Sequence, residues 1–247
     1  MRLKLIACDV FMREVCLLVS QSPHTFDLEF TEKDSHNHSD ILRRSIQEKI
    51  DLSQEKKLDA ILLAYGICGN STIGLQARDT RLVIPRAHDC CTLFLGSREK
   101  FRDYFKDNPS QPFSAAGYME RSDTFYHDGL PPEGGAESGA GNSKYQEYVE
   151  KYGEENARYI YESMYGGAAK PDRLVFIEVP EMSHLGYCEL CHKHAEKNDM
   201  QFVCLEGSLD LLRDLVFGDW DPKNFLILEP GEKSVGIYDW ETIIGKE

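Results

Sequence analysis

Short apolar runs at residues 3–7, 58–65, 81–85, 174–177, 202–205 and 225–228 recur along the 247-residue chain, separated by stretches of a different grammar. This alternation narrows the choice of fold more than any other feature. Runs of this length, apolar on both faces, are what parallel strands covered by helices require. The intervening stretches supply the helices. Within residues 40–50, Ile41, Leu42, Ile46 and Ile50 sit at helical spacing, and Arg43, Arg44, Glu48 and Lys49 occupy the other face. Asp40 is placed to cap this helix. Further helices are predicted near 97–106, 185–199 and 208–217. The expected fold is therefore α/β, a mostly parallel sheet of about six strands with helices on both faces. Because the second half repeats the grammar of the first, two similar halves are expected within a single α/β domain spanning 1–247. Residues 129–141 hold Pro131, Pro132 and five glycines, and read as an exposed loop.

Charge excludes one class of partner. The chain has 28 Lys and Arg against 42 Asp and Glu, a formal net charge of −14, with no basic run. Phosphate backbones are bound through clustered cations, so no nucleic-acid partner is expected. Nor is a membrane, because no apolar run approaches the roughly 20 residues of a spanning helix. The opening Met1-Arg2-Leu3-Lys4 leads straight into Leu5-Ile6-Ala7 without an export-signal pattern, which gives an expectation of cytoplasmic location. Eight cysteines in that setting are thiols or metal ligands.

Ligands of open α/β sheets bind beyond the carboxyl ends of the strands, which makes the residues just after each apolar run the candidates for chemistry. After the first run comes Cys8-Asp9, after the second Gly66-Ile67-Cys68-Gly69-Asn70, and after the third Arg86-Ala87-His88-Asp89-Cys90-Cys91. Three strand ends thus offer thiols, and one adds an imidazole. Such donors suit zinc, or alternatively iron or an iron-sulfur centre, and the predicted ligands are Cys8, Cys68, His88 and Cys90. Gly66, Gly69 and Asn70 form a turn that lets a cofactor approach the backbone. Cys91 is expected to point away from its neighbour, and Cys16 and Cys204 to lie in the core.

Cys188-Glu189-Leu190-Cys191-His192 forms a second constellation. A haem attachment is disfavoured because no export signal accompanies it, and a structural zinc motif would need a second ligand pair. It reads first as a helix surface. Glu178, Glu206 and Glu229 end the strands of the second half and are candidates for a general base or for partners of a metal-bound histidine. His36 and His38 lie in a polar stretch that reads as surface. Phosphate-binding and dinucleotide glycine loops and a serine nucleophile elbow are all missing from the sequence.

The stretches Tyr65-Gly66-Ile67-Cys68-Gly69-Asn70, Pro85-Arg86-Ala87-His88-Asp89-Cys90 and Leu95-Gly96-Ser97-Arg98 carry a family resemblance. With the opening Ala7-Cys8 and the closing Gly218-Asp219-Trp220-Asp221, they make the chain resemble domain-of-unknown-function family sixteen thirty-eight of anaerobic bacteria and archaea. Members often stand beside corrinoid-dependent methyltransferase systems. The resemblance implies a role in one-carbon metabolism, with a small molecule or a corrinoid protein as partner and possible corrinoid contact. It singles out Cys8, Cys68, His88 and Cys90, and does not extend to Cys91 or the 188–192 cluster. The expected function is a metal-binding enzyme or accessory factor in corrinoid-linked methyl transfer. A metal or cofactor carrier without catalysis, a structural metal site and a thiol redox protein stand as alternatives.

Overall fold

A computed structural model describes residues 1–32, 39–54, 56–107, 111, 113–121, 154, 173–237 and 239–247, and they fall into two compact units. The expected loop at 129–141 and the pair His36 and His38 lie outside the described residues.

The first unit takes in residues 1–109, 179–181 and 206–247. It is built on strands β1 (Arg2–Cys8), β2 (Thr25–Thr31), β3 (Ala60–Ala64), β4 (Leu82–Pro85) and β8 (Phe225–Leu228), in the order β2-β1-β3-β4-β8. β2, β1, β3 and β4 run parallel, and β8 closes the edge antiparallel to β4. The fold is thus mixed α/β with a mainly parallel central sheet. β3 and β4 are buried at every position, which is why they read as unbroken apolar runs.

Of its helices, α1 (Met12–Gln21) packs on α7 (Asp210–Phe217), and α7 also covers β3 and β4. α2 (Ser39–Asp51) buries Leu42, Ile46 and Ile50 as its periodicity predicts, while Ile41, expected on the same face, is exposed. α3 (Cys90–Leu95) is buried throughout and is capped by Asp89, whose carboxylate accepts the Thr92 amide at 3.2 Å. α4 (Arg98–Phe105) starts at Ser97, which caps it in the same way through the Lys100 amide. A hairpin of β9 (Ser234–Gly236) and β10 (Ile244–Lys246) completes the unit.

The second unit takes in residues 110–178 and 182–205. Its sheet has the order β5-β6-β7, from β5 (Phe113–Ala115), β6 (Arg173–Glu178) and β7 (Gln201–Glu206), with β5 and β6 parallel. α6 (Tyr187–Lys197) buries Cys191 and Ala195 against Leu174 and Phe176. A shorter helix, α5 (Ala116–Arg121), follows β5 directly.

All six apolar runs are strands, yet they do not form one sheet of about six. Residues 174–177 and 202–205 belong to the three-stranded sheet, and the five-stranded sheet takes in β2, which no continuous apolar run announced. Among the described residues, the first unit's central sheet has five strands and the second unit's sheet three. Among the described residues, no helix is long and apolar enough to cross a membrane.

Candidate functional site

Register brings three strand ends to one level. Ala7 of β1 lies opposite Ala64 of β3, and Leu62 opposite Val83 of β4, so Cys8, Tyr65 and Arg86 leave the sheet side by side. The strand order reverses at β1 and β3, because β2 flanks β1 on one side while β3 and β4 extend on the other. Such a switch point opens a crevice at the carboxyl edge of the sheet.

Beyond the edge, the loops after β3 and β4 stay zipped together. The Ile67 amide donates to the Ala87 carbonyl at 2.8 Å, and the Cys68 amide to that of His88 at 3.1 Å. Gly66 permits this approach, since a Cβ there would stand 2.6 Å from the Asp89 Cα. Cys68, Gly69 and Asn70 then all take left-handed backbone angles, with φ of 43°, 64° and 73°. For Cys68 and Asn70 that conformation costs roughly 1 kcal/mol or more each, and strain held this way gathers at functional sites. Ser234, buried in the terminal hairpin, fixes the far side by donating to the Thr72 carbonyl and accepting the Leu75 amide.

The zipped loops place the Cys68 and Cys90 sulfurs 3.6 Å apart. Two thiolates on one tetrahedral ion, with metal–sulfur bonds of about 2.3 Å, stand about 3.8 Å apart. The pair is therefore already at bridging distance for a metal. Cys8 leaves β1 beside Tyr65, as the pairing of Ala7 with Ala64 requires; burial raises the Tyr65 phenol well above its ordinary range, and Cys8, Cys90 and Cys68 add to that rise. Tyr65 is itself fixed by a 2.7 Å hydrogen bond with Thr31.

His88 takes a different position. Its ring stacks on Phe101 at 5.3 Å and meets the edge of Trp240 at 4.9 Å, and its buried Nε2 has no hydrogen-bond partner. Burial, then the Arg98 guanidinium, lowers its pKa, which favours the neutral form that ligates metals. Of the other predicted residues, Gly69 and Asn70 are exposed at the turn and Gly66 is buried beneath it. Cys91 is buried in α3, and burial holds its thiol well above the usual range.

The second unit holds a cluster that sequence reasoning did not assemble. Glu178 ends β6, Cys188 lies in the first turn of α6 and Cys204 lies on β7, and their ligand atoms are all within 4.8 Å of one another. Among the described residues this trio could hold a metal ion. Burial and the Cys204 thiol push the Cys188 thiol up to about 12. Cys16 and Cys204, expected in the core, are both exposed. The Cys188–His192 motif meanwhile splits, with Cys191 in the core and the His192 ring stacked on Phe202 at 4.8 Å. Glu178 was visible as an acid at a strand end, but nothing in the sequence paired it with Cys188 and Cys204.

Glu206 and Glu229 belong to neither cluster. Glu206 is exposed, and Glu229 pairs with Arg81 at 3.5 Å.

No curated protein and no solved structure matches the chain. The sequence model of a family described as proteins of unknown function, DUF1638, matches residues 30–216, which takes in every residue of both clusters except Cys8. That match covers well over half of the 247 residues, and the chain belongs to the DUF1638 family.

Proposed function

We propose that the protein binds a thiophilic metal, zinc or alternatively iron, at the carboxyl edge of its parallel sheet. Cys68 and Cys90 act as the ligands; among the described residues neither Cys8 nor His88 joins them in a group of three donors within 4.8 Å of one another. The observation that carries this reading is the 3.6 Å separation of the two sulfurs at the end of a strained, glycine-dependent loop. A metal held by two or three protein ligands keeps an open position, where it lowers the pKa of a bound thiol or water. Gly66, Gly69 and Asn70 shape the turn beside which a cofactor such as a corrinoid would lie. The family resemblance extends this proposal to activation of a thiol for corrinoid-linked methyl transfer, either as an enzyme in the cytoplasm or as an accessory factor to a corrinoid protein.

The test is metal content after anaerobic purification. About one zinc or iron should be bound through this pair, and Cys68→Ser and Cys90→Ser should each remove that equivalent. Unchanged metal in both variants would defeat the assignment.

Cys68→Gly separates ligation from strain. Glycine takes the 43° φ without cost, so the metal-free variant should be about 1 kcal/mol more stable to urea while losing the same metal. A destabilised metal-free variant would show that Cys68 is a packing residue rather than a strained ligand.

A further inference from the structure

We propose that Glu178, Cys188 and Cys204 form a second metal site, a two-sulfur, one-oxygen donor set for a zinc-class divalent cation with its fourth position open to exchange. This site is independent of Cys68 and Cys90, because every donor comes from the second unit.

Three elements converge to build it: the last residue of β6, the first turn of α6 and a residue of β7. Arg173 and Gln201, which begin β6 and β7, hydrogen-bond at 3.1 Å, so the two strands start together. The helix between them is pinned by its buried side. Cys191 packs with Leu174, Phe176 and Ala195, and its sulfur contacts that of Met119 at 3.7 Å. With Cys191 committed to the core and His192 to Phe202, Cys188 is the residue of that motif left facing Glu178 and Cys204.

Donor chemistry points to a cation. Two thiols and a carboxylate gather here, and among the described residues no Lys or Arg forms an ion pair with Glu178. Thiolate and carboxylate together suit a borderline cation such as zinc better than magnesium or calcium, which prefer all-oxygen shells. The two sulfurs stand 2.9 Å apart, so binding must widen the pair to about 3.8 Å. Cys204 is exposed and free to rotate by that amount, while Cys188 is held by its helix. The same exposure leaves the fourth position to water or an incoming ligand. An ion held by three protein donors at the surface exchanges with thiol chelators, whereas a filled four-ligand site retains its ion.

The experiment is alkylation of the reduced, full-length protein under anaerobic conditions, with and without zinc, read cysteine by cysteine by peptide mass spectrometry. Zinc should slow iodoacetamide modification of both Cys188 and Cys204 at least tenfold, and Glu178→Gln should weaken the zinc dependence by roughly another factor of ten. Cys68 and Cys90 fall in other peptides, so failure at one site is distinguishable from failure at the other. A cobalt titration of Cys68→Ser/Cys90→Ser should still give a thiolate charge-transfer band, abolished by adding Cys204→Ser. Modification rates at Cys188 and Cys204 that ignore zinc would overturn the site. So would a disulfide between them that forms with a small-molecule disulfide as readily with zinc as without it.

Discussion

Gly66→Ala should lower the unfolding free energy by about 3 kcal/mol, at the upper end of what overpacking a rigid region costs. The new methyl group would lie 2.6 Å from both the Cα and the amide nitrogen of Asp89, and 2.9 Å from the Ala87 carbonyl. All three are backbone atoms, so no side-chain rotation relieves the contact. The two loops must separate, which breaks the hydrogen bonds from the Ile67 amide to Ala87 and from the Cys68 amide to His88 and moves Cys68 away from Cys90. Metal bound through Cys68 should therefore fall along with stability, while zinc protection of Cys188 and Cys204 persists. Gly69→Ala is the control: it meets nothing closer than 3.8 Å and should cost only about 1 kcal/mol from its positive φ. Equal losses in the two variants, measured by urea unfolding, would show that close approach at Gly66 is not what holds the loops.

Glu29→Gln should cost about 2 kcal/mol at neutral pH. Glu29 on β2 accepts hydrogen bonds from Lys4 on β1 and Lys49 on α2, so one carboxylate joins three elements. The Lys4 side chain is only 8% exposed, and removing its counter-charge leaves a buried ammonium. Glu29 itself is 35% exposed, and water screens the pair enough to roughly halve the cost of a fully buried one. Burial raises the Glu29 pKa, but the bonds from Lys4 and Lys49 outweigh it, and the net pKa lies below the ordinary 4.5. A depressed carboxylate stabilises the fold above its unfolded pKa and loses that contribution as pH falls through the folded value. The difference between wild type and Glu29→Gln should therefore be full at pH 7 and shrink steadily below 4.5. A pH-independent difference would assign the loss to packing instead.

The strands most legible in the sequence were the fully buried ones. β3 and β4 are apolar at each position, and no helix of four or five residues competes with that pattern. β2 offers no unbroken apolar run, because Phe26, Leu28 and Phe30 alternate with Asp27 and Glu29, the signature of an edge strand. How strands partition between sheets depends on long-range pairing that local pattern does not encode, and β6 and β7 went to the wrong sheet for that reason. At the site, the sequence located Cys68 and Cys90 because both follow buried strands directly. The side chain of His88 was harder to place, since Phe101 and Trp240, far apart in the chain, draw its ring between them. The buried character of free cysteines predicts a core position for Cys204, which is exposed. Its place on β7 is decided by the alternation of strand faces, and its partner Glu178 by the register of a second strand.

The discontinuity of the first unit bears on how the protein is made. β4 emerges from the ribosome about 140 residues before β8, its antiparallel neighbour, and the whole second unit is synthesised in between. At translation rates of roughly 5–20 residues per second, the Leu82-Val83-Ile84 edge waits about 7–28 s for its β8 partner. An apolar edge left open that long is a template for pairing with another nascent chain. Yield in the cell should therefore depend on chaperone capacity and translation speed more than the stability of the finished fold would suggest.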